Sequence, residues 1–380
     1  MSQSANTWAQ RLQEIPALRP LKKPLGLVLS RLQDKGNGNA GRMALATFAI
    51  RVGGAALAYL SQIFLARLMG AHDYGIYSVA WTWVVIFGAM ACVGFSTSTT
   101  RFIPQYIQTG DTDRLRGFLS ASRNVSFLAA SVIAAIAIGC IFLLRPYIDD
   151  YYVLPAAIAF LALPMFAFGG VLDGIARSYD WSSLAMLPTY IWRPLTILAV
   201  LIILIAVGQP ASALTAAAAA VIATWAVALY QNIKLNGRLA EKVPPGPRKT
   251  DMKVWLAISL PMLMVDGFLQ LITSADVIMV SFWHSPEEVA VYFAASKTLA
   301  LVHFVYFAVR AASAHRFSAY IHADDREGLA AYVRQATIWT FLPSVAAGLG
   351  LLLIAPVLLS LFGKDFSADF PLIAILLMGV

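Results

Sequence analysis

Several charged side chains fall where charge is costly. Arg51, Arg193 and Lys297 lie inside long apolar runs, as do Asp266, Asp276 and His303. Ionisable residues buried in apolar segments are expensive to keep and by default mark functional positions. An arginine there offers a bidentate fork to a phosphate or carboxylate, and a lysine offers a point charge. Each also has a plainer reading. Arg51, about eight residues into its run, can snorkel to the inner interface. Lys297 can pair with Asp266 or Asp276. His303 can sense protons or sit simply hydrogen-bonded, and Asp276, near the outer end of its run, can sit in water. Arg193 stands mid-run between Trp192 and Pro194, where snorkelling is harder, so a cavity role is expected.

Chemistry of other kinds is missing from the sequence. There is no HExxH, no CxxC and no convincing nucleophile–base–acid set. Gly36, Gly38 and Gly41 match GxGxxG by letter, but no strand precedes them and Arg42-Met43 stands where a phosphate loop needs Lys-Ser/Thr. Asp149 and Asp150 are adjacent at a turn and read as a solvated loop, since neighbours hardly converge on one bond. Cys92 and Cys140 both lie in apolar runs without metal-ligand company. No catalytic set, metal or cofactor is expected.

The elements that must position these charges are membrane helices. The chain has 380 residues, 59% hydrophobic and 13% charged, with mean hydropathy +0.71. A soluble domain is about 25% charged. The apolar runs are unalternating and of spanning length, which favours helices over a barrel. Spans are expected at 43–66, 77–99, 125–144, 151–172, 184–207, 211–233, 254–282, 288–309 and 337–361, with a further run begun at 370–380. Most of the 28 lysines and arginines lie in the tail and in every second connection, whereas the opposite connections hold only Arg67, Arg145 and Lys364. That bias puts the N-terminus in the cytoplasm. The net charge of +8 is then topology and contact with membrane lipids, with no need for nucleic acid.

The plan repeats. A polar turn at Gly70–Gly75, an apolar run and the pair Arg101-Phe102 return 215 positions later, so that Tyr77 falls on Tyr292, Ala80 on Ala295 and Arg101 on Arg316. Two related lobes follow, 43–233 and 254–380, joined by the basic, proline-rich linker 234–253 and preceded by the tail 1–42. Asp266 is the counterpart of Arg51, so opposite charges at equivalent positions could pair across a cavity in one state, or each be satisfied within its own lobe. Leu115, Phe118 and Leu119, and again Leu329, Tyr332 and Val333, share helical faces expected at the membrane surface. Trp81, Trp83, Tyr151 and Tyr152 are expected to anchor the interface or pack. Prolines 155, 164, 188, 194, 261, 343 and 356 are candidates for kinks.

The pieces LARLMGAHDYGIYSVA and TRFIPQYIQTGDTDRLRG resemble the polysaccharide transporter (Wzx-type O-antigen flippase) family of the multidrug/oligosaccharidyl-lipid/polysaccharide (MOP) exporter superfamily. SPEEVAVYFAASK and LFGKDFSADFPLIAILLMG look like its second-lobe turn and the span that follows. Family members usually have twelve to fourteen spans, so the second lobe reads as truncated. The resemblance implies an all-α, two-lobed bundle in the bacterial inner membrane that moves an undecaprenyl-diphosphate-linked oligosaccharide between leaflets. It implies polysaccharide polymerase and export machinery as partners. Arg51, Arg193 and Lys297 become candidates to meet the diphosphate. Asp266, Asp276 and His303 become candidates for ion pairing or coupling, and Arg101 and Arg316 for a cytoplasmic gate. Two alternatives stand: a MATE-like cation-coupled drug exporter with the same plan, which charge-bearing spans disfavour, and a non-transporting scaffold for polysaccharide assembly. A glycosyltransferase or polymerase would need catalytic carboxylates or a large outer loop.

Overall fold

The computed structural model describes residues 38–302, 325–366 and 370–378. It forms two units, Met1–Arg51 and Val52–Val380. Every regular element among the described residues is helical. Among the described residues six helices are long and apolar enough to cross a membrane, and seven if one bent pair counts as a span.

Helix α1 runs from Gly38 to Ala91 and merges two expected spans. Its 54 residues would measure about 80 Å if straight, far more than a bilayer. Gly70 breaks it, with φ 78° and ψ 170°, a conformation glycine adopts without penalty. The polar turn expected at Gly70–Gly75 is therefore a single-residue break. Two left-handed residues, Val93 and Gly94, separate α1 from α2 (Phe95–Thr109). Gly110, left-handed again, ends α2 by donating to Ile107 while Asp111 donates to Tyr106. Asp111 then caps α3 (Thr112–Leu143), accepting from the Arg114 amide at 3.0 Å. That bond and the Arg114 guanidinium hold the Asp111 carboxyl below the usual aspartate range.

Helices α4 (Asp150–Phe160) and α5 (Leu163–Ser178) are one run bent by 43°. A short α6 (Ser182–Leu187) widens into a π-turn, Pro188–Trp192, before α7 (Arg193–Ala206). Helix α8 (Ala213–Lys242) buries Ala216, Ala217, Ala219, Ala220 and Ala223, small residues that let its neighbours approach closely. It outruns the expected span and takes up the first half of the expected linker. Leu235 and Leu239, buried one turn apart, keep the helix going until Pro244 and Pro245 stop it.

Helix α9 (Met252–Ile272) is separated from α10 (Ala275–Ser281) by Thr273-Ser274, which splits the expected span 254–282. A full capping box, Ser285 with Glu288, starts α11 (Pro286–Leu299). Helices α12 (Arg326–Ser360) and α13 (Phe370–Met378) complete the described chain. His303 and Arg316 lie outside the described residues.

The amphipathic faces differ from expectation. Leu115, Phe118 and Leu119 are buried inside the protein, at the start of α3, and not laid on a membrane surface. Phe118 packs on Phe95, Phe102, Tyr106 and Trp255. Helical periodicity gives the width of an apolar face; what covers it here is aromatic rings both nearby in the chain and, as Trp255, far along it. Leu329, Tyr332 and Val333 belong to the opening turns of the long α12.

The halves meet along α1 and α11. Gly75 lies so close to the Pro286 carbonyl that any Cβ there would overlap it. Around this crossing Tyr74 contacts Phe293, Phe362 and Phe366 edge-on or tilted, and Tyr59 donates to or accepts from Thr298 at 2.9 Å. Arg67 donates to the carbonyls of Ser360 and Leu361 and so caps the C-terminus of α12.

Candidate functional site

The π-turn presents Arg193. An i→i−5 bond from its amide to the Pro188 carbonyl widens the helix, a device that recurs at functional sites. The guanidinium lies over the Phe166 ring, 4.6 Å from its centre. Phe166 meets Trp81 edge-on at 6.0 Å, and Trp81 stacks on Tyr77 at 6.3 Å. A row of rings thus runs from the arginine to the second arm of α1.

Lys297 repeats the arrangement from the other half. Its ammonium lies 4.8 Å from the centre of Phe293, which meets Tyr74 edge-on at 6.0 Å. Tyr74 and Tyr77 are one turn apart on α1, so both cation-bearing rows end on the same helix. Among the described residues neither Arg193 nor Lys297 is in an ion pair. The pairing of Lys297 with Asp266 or Asp276 is not formed; the ammonium sits on an aromatic face instead.

The aspartates have other partners. Asp266 accepts from Thr97 at 2.7 Å and from Ser96 at 3.4 Å. These are residues of the first turn of α2, where a carboxylate also meets the positive end of a helix. Asp276 accepts from Tyr292, the repeat counterpart of Tyr77, at 3.0 Å, and its second oxygen is buried without a partner. A place in open water, expected from its position near the run's end, is not what surrounds it. Arg51 and Arg101 are exposed.

One site escaped the sequence. Asp173 is buried in α5, with Gln231 donating to one oxygen and Thr189 to the other, both at 2.7 Å. Gln231 also donates to the Leu184 carbonyl at 3.0 Å. Thr189 belongs to the π-turn, so this network fixes the widened turn that carries Arg193. The expected span stopped at residue 172, which placed Asp173 in a connection; the signal was an aspartate one residue past an apolar run. No group of three or more metal-ligating side chains occurs among the described residues.

An arginine and a lysine thus each rest on an aromatic face, one in each half of an internally repeated helix bundle. The family model for polysaccharide biosynthesis proteins matches residues 41–318. The chain belongs to the polysaccharide biosynthesis protein family. Solved structures agree on the fold of this family member. It is similar to a multidrug resistance MATE family transporter of the MOP superfamily in an inward-facing conformation, at 17% identity over 86% of this chain and 75% of that one, with TM-score 0.63. It is similar to a MATE transporter in the straight conformation, at 18% identity over 88% and 76%, with TM-score 0.62. A MOP superfamily transporter from Pyrococcus furiosus, described as having a binding pocket of reversed polarity, matches at 16% identity over 88% and 76%, with TM-score 0.55. No curated protein matches the chain. The polysaccharide biosynthesis family member is thus a multi-pass, all-helical membrane protein with the MATE fold, and this likeness carries the fold alone.

Proposed function

We propose that the protein flips an undecaprenyl-diphosphate-linked oligosaccharide across the bacterial inner membrane, with its N-terminus in the cytoplasm and without catalysing a reaction. The observation that carries this is the pair of intramembrane cations, Arg193 and Lys297, each resting on an aromatic ring and, among the described residues, neither in direct contact with a carboxylate. A diphosphate–sugar head cannot cross hydrocarbon uncompensated. Arg193 would grip it bidentately and Lys297 would add a point charge, while half-buried Trp81 would offer a face to a sugar ring. The family match supports a role in polysaccharide assembly. Its two halves, 43–233 and 254–380 by sequence repeat, would provide alternating access, with Asp276 as a coupling carboxylate and polymerase and export machinery downstream. A cationic drug is a poor fit to two cations that no carboxylate contacts directly.

The test is complementation of a strain lacking its lipid-linked oligosaccharide flippase, with surface glycan and cytoplasmic-leaflet precursor measured together. Restored glycan with falling precursor is the expected result, lost in the Arg193→Ala and Lys297→Ala variants. Unchanged precursor with the well-folded protein present in the membrane would refute the assignment for that glycan.

A further inference from the structure

The segment between α8 and α9 is not a slack tether. Arg116 of α3 donates to the carbonyls of Pro247 and Pro244, both at 2.8 Å, and forms an ion pair with Asp113. The Lys249 amide donates to the Asp113 carbonyl at 3.0 Å, and Arg248 donates to Ser120 at 3.3 Å. Arg114 pairs with Asp251 at 2.5 Å. The Lys249 carbonyl lies against Gly117, leaving no room for a Cβ there. Residues 244–251 are thereby strapped along the first turns of α3.

Helix α9 continues the attachment. Trp255 is completely buried, meets Phe118 edge-on at 5.3 Å, and donates to the Tyr106 hydroxyl at 2.8 Å. One turn on, Ser259 shares a hydrogen bond of 2.7 Å with Ser98, both fully buried, and its carbonyl fills the space beside Gly94. Two turns further, Asp266 binds Thr97 and Ser96. Val265, Phe268 and Leu269 of α9 are exposed. The helix then breaks at Thr273-Ser274, and α10 packs on α11.

We propose that α9 and its strap form one rigid piece with α2 and α3, so that the boundary across which the protein changes conformation lies at Thr273-Ser274. By sequence repeat α9 opens the second half; by packing it belongs to the first. The contact at Ser259 is directional and fully buried and that at Asp266 is directional and half-buried, so sliding α9 along α2 would break both and leave the two serine hydroxyls unsatisfied away from water. Among the described residues the hydrogen bonds of Thr273 and Ser274 return to α9 itself, at Leu269, Gln270 and Leu271.

The test uses the full chain, with Cys92 and Cys140 replaced, in lipid nanodiscs. Spin labels are placed at Gln108 and Lys253 in one variant and at Lys253 and Gln335 in another, and distances are measured by pulsed electron resonance at neutral and acidic pH and with undecaprenyl diphosphate added. The expected result is one narrow Gln108–Lys253 distance under every condition, and a Lys253–Gln335 distance that is multiple or shifts. A Ser98→Cys/Ser259→Cys disulfide should leave that second pattern unchanged. A broadened or shifting first distance, or a second distance that stays single throughout, or loss of its movement on cross-linking, would overturn the proposal. The fixed Gln108–Lys253 distance is expected whatever the cargo.

Discussion

His72 and Glu287 touch at 2.7 Å and are 215 residues apart, the same interval as the sequence repeat. Equivalent positions of two related halves can meet only beside the axis that relates them. The backbones come together beside it at Gly75 and Pro286, which are one helical turn out of equivalence. The repeat seen in the sequence is thus expressed as a crossing of α1 with α11.

This pair should respond to acid. The hydrogen bond from His72, together with backbone donors at the start of α11, holds the Glu287 carboxyl below the usual glutamate range. A lowered carboxylate contributes stability above its ordinary titration range and loses it as pH falls through the lowered value. Both side chains are about half exposed, so the expected loss is small, roughly 0.2–1 kcal/mol. Glu287→Gln should remove the acid-dependent part of the thermal midpoint in detergent while leaving the neutral-pH midpoint within a few degrees.

Trp255→Ala should cost about 3–5 kcal/mol, the usual range for emptying a large aromatic site in a packed core. Trp255→Phe should cost less, losing chiefly the bond to Tyr106. Chemical denaturation of the purified protein, followed by tryptophan-independent circular dichroism, separates the two.

Gly94→Ala should destabilise for two reasons that add. The residue sits at φ 71°, which costs an L-residue about 1–2 kcal/mol, and its Cβ would collide with the Ser259 carbonyl. Gly110→Ala has the same backbone strain but open space around it. Comparison of the two thermal midpoints isolates the contact with α9, and equal shifts would show that contact to be unimportant.

Arg193→Lys should fail to restore function even though charge is kept, because a bidentate, ring-stacked guanidinium has no lysine equivalent. A loss of about 1.5–3 kcal/mol in cargo binding, or roughly ten- to a hundredfold, is expected for a charged hydrogen bond. Thr189→Val should weaken binding less, by releasing the π-turn from Asp173 without removing the cation. Titration with a soluble diphosphate–sugar analogue measures both.

What was legible in the sequence was what periodicity and composition record. Apolar length gave the helices. Gly70 marked the break in α1. Partners were less legible. Leu115, Phe118 and Leu119 form the same face whether they meet lipid or Trp255, and nothing local distinguishes the two. The linker looked loose because Pro244, Pro245 and Pro247 forbid helix, yet prolines leave their carbonyls free, and Arg116 takes two of them. Asp173, Thr189 and Gln231 come from three segments whose convergence is a property of packing. Arg193 and Lys297 were conspicuous because charge in an apolar run has few innocent explanations, but the rings they rest on were not singled out.

The Arg67 contact fixes an order of assembly. The Asp173 network closes entirely within the stretch ending at Lys242, and the strap and α9 can dock as soon as the next thirty residues emerge. Arg67, in contrast, caps a helix end almost three hundred positions downstream. Translation reaches that helix end last among these contacts, so the nascent chain must hold a charged residue and the Tyr74 ring cluster unfinished in the membrane until it arrives. Premature arrest of synthesis would leave the early helices folded around their own network with this seam still open, a form suited to recognition by quality-control proteases.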